Sequence, residues 1–283
     1  MSTSLVTVLL IVFAAVALFT VVMGIVLTVV VKTDDPSRGA KRRIQVLYSV
    51  AALVGLAFAA LAAYAFPTIY VNSTEVPGLL AALAPLIAGI LFVDIAAIGE
   101  SFWPRPKGQK RGAYLTRRPA LANAGAITQI ATVVWATLLV VSLVLFGFIA
   151  VKGGEASGRS IAYVSTDPSV SGKSGPFPGW PYGIPMLVLA GVMIVFAVAV
   201  LHVIARRPAV SGTTPQSDAQ LRRISATNLL KGTQASLAAS LAGVLLIAGQ
   251  SSANAGYWWG APCMAISLMV VVAGIIVLVW PSR

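Results

Sequence analysis

The chain has 283 residues, of which 58% are hydrophobic and only 10% charged. A soluble domain carries roughly 25% charged residues and a disordered chain needs low hydrophobicity, so both classes are excluded. The formal net charge of +12 raises nucleic acid as a partner. Nucleic-acid binders gather such charge on a folded basic face, and here it falls in short segments between apolar runs.

A membrane-spanning helix needs about 20 mostly apolar residues, set by a hydrocarbon core of about 30 Å and a rise of about 1.5 Å per residue. Seven runs qualify: 5–31, 44–66, 78–98, 123–151, 183–205, 225–249 and 259–280. Inside lipid the backbone must bond to itself, so these runs predict helices; strands would be shorter and alternate in polarity. The run 5–31 has no Lys or Arg before it, outlasts a signal core, and is followed by Lys32. It is therefore expected to be a true span with its N-terminus outside.

The loops that follow set the orientation. Segment 32–43 holds Lys32, Arg38, Lys41, Arg42 and Arg43, and segment 99–122 holds Arg105, Lys107, Lys110, Arg111, Arg117 and Arg118. Segment 206–224 adds Arg206, Arg207, Arg222 and Arg223. With Lys231 and Arg283, 17 of the 20 basic residues share one side. The positive-inside rule places that side in the cytoplasm. The expected fold is all-α and polytopic, a single transmembrane domain over 1–283, with the N-terminus outside and the C-terminus cytoplasmic. The charge itself reads as topology and attraction to anionic lipid heads, with no nucleic acid involved.

Packing signals lie along the spans. The second carries Ala51, Gly55, Ala59 and Ala63, and the sixth carries Ala235, Ala239 and Gly243. Small residues at four-residue steps let helix backbones approach closely, so these spans are expected at the bundle centre or in a homo-oligomer contact. The third contains Pro85, which is expected to kink it, and Gly89. The outer loop 152–181 is rich in Gly, Ser and Pro, with a short strand expected in 161–164. It suits a cap on the bundle, a partner contact or a passive linker. Asn72-Ser73-Thr74 matches a glycosylation acceptor but lies too near the membrane to carry weight.

The segment Gly99-Glu100-Ser101-Phe102-Trp103-Pro104-Arg105-Pro106-Lys107-Gly108, with Arg111, Ala113 and Leu115, resembles one that recurs in uncharacterised multi-pass membrane proteins of high-GC bacteria. The likeness covers about residues 99–118. It implies a bacterial inner-membrane origin, which the Ala and Val richness fits, and it transfers no activity.

An internal repeat follows. Arg117-Arg118, Asn123 and Thr128-Gln129 match Arg222-Arg223, Asn228 and Thr233-Gln234 at a constant offset of 105 residues. Spans five and seven open alike, with Tyr182-Gly183-Ile184-Pro185 and Trp259-Gly260-Ala261-Pro262. The pattern suggests one lone helix followed by three parallel hairpins, an arrangement known among transporters.

Ionisable residues inside a span are costly and mark candidate sites. Asp94 is the acid well inside one, and by depth it shares the cytoplasmic third of the bilayer with His202, Gln129, Gln234, Lys231 and Asn228. Two readings stand. The six residues form a polar pocket in which Asp94 binds a cation or proton and His202 relays protons. Alternatively, Asp94 pairs with Lys231 or His202 and the glutamines bond across helices, all for packing.

No catalytic residue, cofactor or metal site is expected: H-E-x-x-H, C-x-x-C and G-x-S-x-G are absent, and the lone His202 and lone Cys263 are poor bases for a metal or disulfide. Gly172-Lys173-Ser174 lacks the upstream Gly of a phosphate loop. The last span has no Lys for a retinal Schiff base. The expected function is a non-enzymatic membrane subunit that scaffolds or regulates a larger complex. The alternative is a small-solute or ion transporter with Asp94 as the coupling residue. A lipid-acting enzyme would need an acid/base cluster that the sequence lacks.

Overall fold

The computed structural model describes residues 36–69, 76, 78–103, 121–154, 157–164, 172–209 and 214–279. The expected first span, 5–31, lies outside them. The described chain forms six long helices: α1 (Pro36–Ile69), α2 (Leu79–Ser101), α3 (Ala126–Ile149), α4 (Trp180–Arg206), α5 (Pro215–Asn254) and α6 (Gly260–Val279). All six are long and apolar enough to cross a membrane, and the chain is a multi-pass membrane protein.

Two helices begin well before their apolar runs. α1 starts at Pro36 and α5 at Pro215, each some eight to ten residues ahead of the hydropathy boundary. Thr214 caps α5, its Oγ1 accepting from the Ser217 N–H at 3.3 Å. Pro215 follows in the first turn, where its missing N–H costs nothing. At 40 residues α5 runs about 60 Å, far more than the hydrocarbon needs.

α5 is also the central helix: two-thirds of its most apolar window is buried, against about a fifth for α3 and α6, whose outer faces are apolar and exposed. It closes on α2 through glycines. A Cβ on Gly89 would fall 2.3 Å from Ser236 Oγ, and one on Gly232 2.2 Å from the Phe92 ring. The expected small-residue face of α1 is spent partly on α2, where Gly55 lies against the Ala88 carbonyl.

The two segments related by the 105-residue offset enter their helices differently. α3 is preceded by a 3-10 turn, Leu121–Ala124, and by Gly125 at φ +72°, which breaks the chain direction. The residues 105 positions on, 226–230, continue one unbroken helix.

The described part of segment 152–181 folds as a cap on one end of the helices. Ile161 pairs with Ser174 and Ala162 with Lys173 in a two-stranded antiparallel ribbon, β1 (Ile161–Ala162) and β2 (Lys173–Ser174). This places the expected strand at 161–162. Val164 donates to the Ala255 carbonyl at 2.9 Å, fastening the ribbon to the α5–α6 turn, and Ser251 Oγ donates to the Pro176 carbonyl. Phe177 is fully buried, edge-on to Phe146, which stacks in turn on Trp259. This end is here termed the capped end and the other the basic end.

Candidate functional site

At the basic end the helix termini leave carbonyls without partners. Arginines answer them. Arg222 donates through Nη1 to the Ile204 and Ala205 carbonyls at 2.7 and 2.9 Å and through Nη2 to the Arg207 carbonyl at 2.7 Å. Asp218, one turn earlier, holds its Nε at 2.9 Å. Arg43 donates to the Phe102 carbonyl at the end of α2. Cations at helix C-termini are also favoured by the dipole.

A second group lies between these caps. Glu100 Oε2 meets Arg207 Nη1 at 2.6 Å, with both side chains at most 1% exposed. Tyr48 donates to the other carboxylate oxygen at 3.4 Å, and Arg207 also reaches Ser225 Oγ at 3.2 Å. The guanidinium carbons of Arg207 and Arg43 lie 3.9 and 5.4 Å from the Trp103 ring centroid. This network ties α1, α2, α4 and α5 together. It is not fully satisfied: Arg207 Nε and Nη2 and Arg43 Nε have no hydrogen-bond partner among the described residues.

Two cavities follow α2 and α5 and share Pro85 and Ala239. The one at the capped end, about 340 Å³, is roofed by Phe177 and its flanking prolines and is almost wholly apolar. The other, about 480 Å³, is a groove between α1, α2 and α5 with Leu278 of α6 at its rim. Its polar lining is Gln45, Tyr48, Ser49, Asn228 and Lys231, with Ser236 beside Pro85, to whose carbonyl the Ser236 hydroxyl donates.

The six expected site residues divide among these places. Asn228 and Lys231 line the groove together. Asp94, Gln129, Gln234 and His202 line neither cavity. Gln234 spans α5 to α3, donating to the Thr128 carbonyl and Thr132 Oγ1, both at 2.8 Å. Gln129 lies half-buried near the start of α3. His202 is exposed, its Nδ1 2.9 Å from the Val198 carbonyl of its own helix. Asp94 is half-buried on α2, and no hydrogen bond or ion pair falls to it among the described residues.

Sequence reading missed Glu100, Arg207, Arg43, Tyr48 and Trp103 as one unit. The available signal was an acid within four residues of Trp103 at the end of an apolar run, facing a basic pair after span five. Among the described residues no group of three or more His, Cys, Asp or Glu could hold a metal. The class defined by these features is a multi-pass α-helical membrane protein with a buried ionic cluster at one end and a folded cap at the other. No family model, curated protein or solved structure matches the chain.

Proposed function

We propose that the chain is a non-enzymatic multi-pass subunit that scaffolds or regulates a larger complex in a bacterial inner membrane. The observation that carries this reading is the Glu100–Arg207 network with its Arg222 and Arg43 caps. Its charges are spent on joining helix ends, sealed from both cavities except through Tyr48. A rigid bundle with broad apolar flanks on α3 and α6 suits a role in assembly. The proposed topology is seven spans, residues 5–31 forming the first, with the basic end cytoplasmic, as the charge asymmetry favours.

The test is genetic and biochemical. Cross-linking in intact membranes should join the chain to one recurring protein, and deleting the chain should lower that protein's assembly or activity. A deletion that leaves the cross-linked protein's assembly and activity unchanged contradicts the proposal.

A second reading rests on Asp94, an acid in a span with no partner among the described residues. It makes the chain a small-solute or ion transporter coupled through that carboxylate. Asp94→Asn should then abolish uptake or proton coupling, and an unaffected flux in proteoliposomes rules this reading out.

A further inference from the structure

Only residues 32–35 join the apolar run 5–31 to α1 at Pro36. The five steps from Val31 to Pro36 reach at most about 17 Å when extended. α1 starts eight residues before Ile44, about 12 Å along its axis from the edge of its own apolar stretch. A run that ends at that same edge of the hydrocarbon is left with about 12 Å of sideways reach. Packed helices stand about 8–10 Å apart. A span formed by 5–31 is therefore a direct neighbour of α1.

α1 offers such a neighbour an open groove. α2 closes its floor, meeting α1 at Gly55 and α5 at Gly89 and Gly232. On the α1 wall Tyr48, Ala52, Gly55 and Ala59 recur at steps of three or four residues, along one helix face. Ser49, Ala52 and Leu56 are exposed at the rim. Ser49 falls inside the apolar stretch of α1, where a polar side chain turned to hydrocarbon is costly. The far wall is mixed, with Ser236 bonded to the Pro85 carbonyl and Leu278 of α6 at the rim.

The run 5–31 carries a matching face. Within 16–31, Ala17, Thr20, Gly24 and Thr28 are the only residues other than Val, Leu, Ile, Phe and Met, and they too recur at steps of three or four. Set antiparallel to α1, they pass Ala59, Gly55, Ala52 and Tyr48 in turn, and each pair's numbers add to 75 or 76. Val31 and Ile44, the edges of the two apolar runs on one membrane face, add to 75. The side-chain match and the hydropathy edges thus give one register. Small residues at this spacing let backbones approach, and Thr and Ser hydroxyls bond across helices. In this register Thr28 passes Ser49 as well as Tyr48.

We propose that residues 5–31 of this chain cross the membrane antiparallel to α1 and fill the groove between α1, α2 and α5, with Ala17, Thr20, Gly24 and Thr28 turned to its walls. The inference rests on the seven-span topology and adds the place, face and register of the first span. The short linker selects this segment over a second copy, and the stepwise match selects it over lipid.

The test is disulfide trapping in native membranes of the full chain in a Cys263→Ser background. A disulfide needs Cα atoms within about 7 Å. Gly24→Cys with Ala52→Cys, and Ala17→Cys with Ala59→Cys, should oxidise within one chain under copper phenanthroline, leaving a monomer with no thiol for maleimide. Val22→Cys with Ala52→Cys, and Ala15→Cys with Ala59→Cys, turned to the other face, should stay reduced. A lone Ser4→Cys, probed with impermeant maleimide on intact cells, should label from outside. Linking on both faces alike overturns the proposal, and so does a covalent dimer, which gives the groove to a second copy. No linking with Ser4→Cys labelled places the span elsewhere and leaves the groove to lipid. No linking with Ser4→Cys labelled only after permeabilisation overturns the seven-span topology itself.

Discussion

Glu100→Gln is expected to destabilise the bundle by about 3–5 kcal/mol, the cost of leaving one partner of a buried ion pair uncompensated. The carboxylate lies 2.6 Å from Arg207 Nη1, and both side chains are sealed from solvent. Glutamine keeps the shape but removes the charge. Arg207 would then rely on the Ser225 hydroxyl and on Trp103, while two of its nitrogens already have no partner among the described residues. The Trp103 contact contributes about 2 kcal/mol when desolvated, and a hydrogen bond from a charged group about 1.5–3 kcal/mol. These remain in the variant, so the expected loss is that of the pair itself. Replacing the whole unit with apolar residues, Glu100→Leu, Arg207→Met and Tyr48→Phe together, removes the stranded charge and should leave stability near the wild-type value or above it. Reversible unfolding of the purified chain in mixed micelles, followed by tryptophan fluorescence, gives both numbers. A single variant as stable as wild type, or a triple variant as unstable as the single, refutes the reasoning.

Other consequences can be measured in the same system. Arg222→Lys should cost about 3 kcal/mol, because a lysine cannot reach three carbonyls with a planar fork; unfolding within about 0.5 kcal/mol of wild type contradicts this. Gly232→Val should cost at least about 1–3 kcal/mol by overpacking against Phe92, seen as a lower unfolding midpoint. Phe177→Ala should loosen the cap by about 3–5 kcal/mol and speed tryptic cleavage near Lys173; an unchanged cleavage rate places the cap's stability elsewhere. In a Cys263→Ser background, a membrane-impermeant maleimide added to intact cells should label a cysteine placed at Lys173 and spare one placed at Arg223. The reverse pattern inverts the proposed topology.

The apolar spans were legible because lipid dictates them: a helix in hydrocarbon must be long, apolar and self-bonded. Six of the expected runs coincide with helices, while 5–31 falls outside the described residues. Helix starts were less legible. Hydropathy stops where charge begins, but Pro36 and Pro215 begin helices that carry Arg43 and Arg222 as helical residues.

The candidate residues were legible as polar positions within apolar runs, and the direction each one faces was not. Rotation about each axis is set by packing, which turns His202 to the outer surface and Lys231 into the groove. Glu100 and Arg207 are 107 residues apart, at the margins of segments whose composition reads as loop, so no local pattern joins them. The repeat was visible as matched residues, but Gly125 departs from it, since a residue at φ +72° needs glycine and its counterpart is Leu230.

The mass of the native particle tests the central claim most directly. The chain, tagged at its chromosomal locus and extracted in a mild detergent, should run as a heteromeric particle of fixed stoichiometry containing one recurring protein. A particle that holds this chain alone, in every detergent that preserves its fold, contradicts the account.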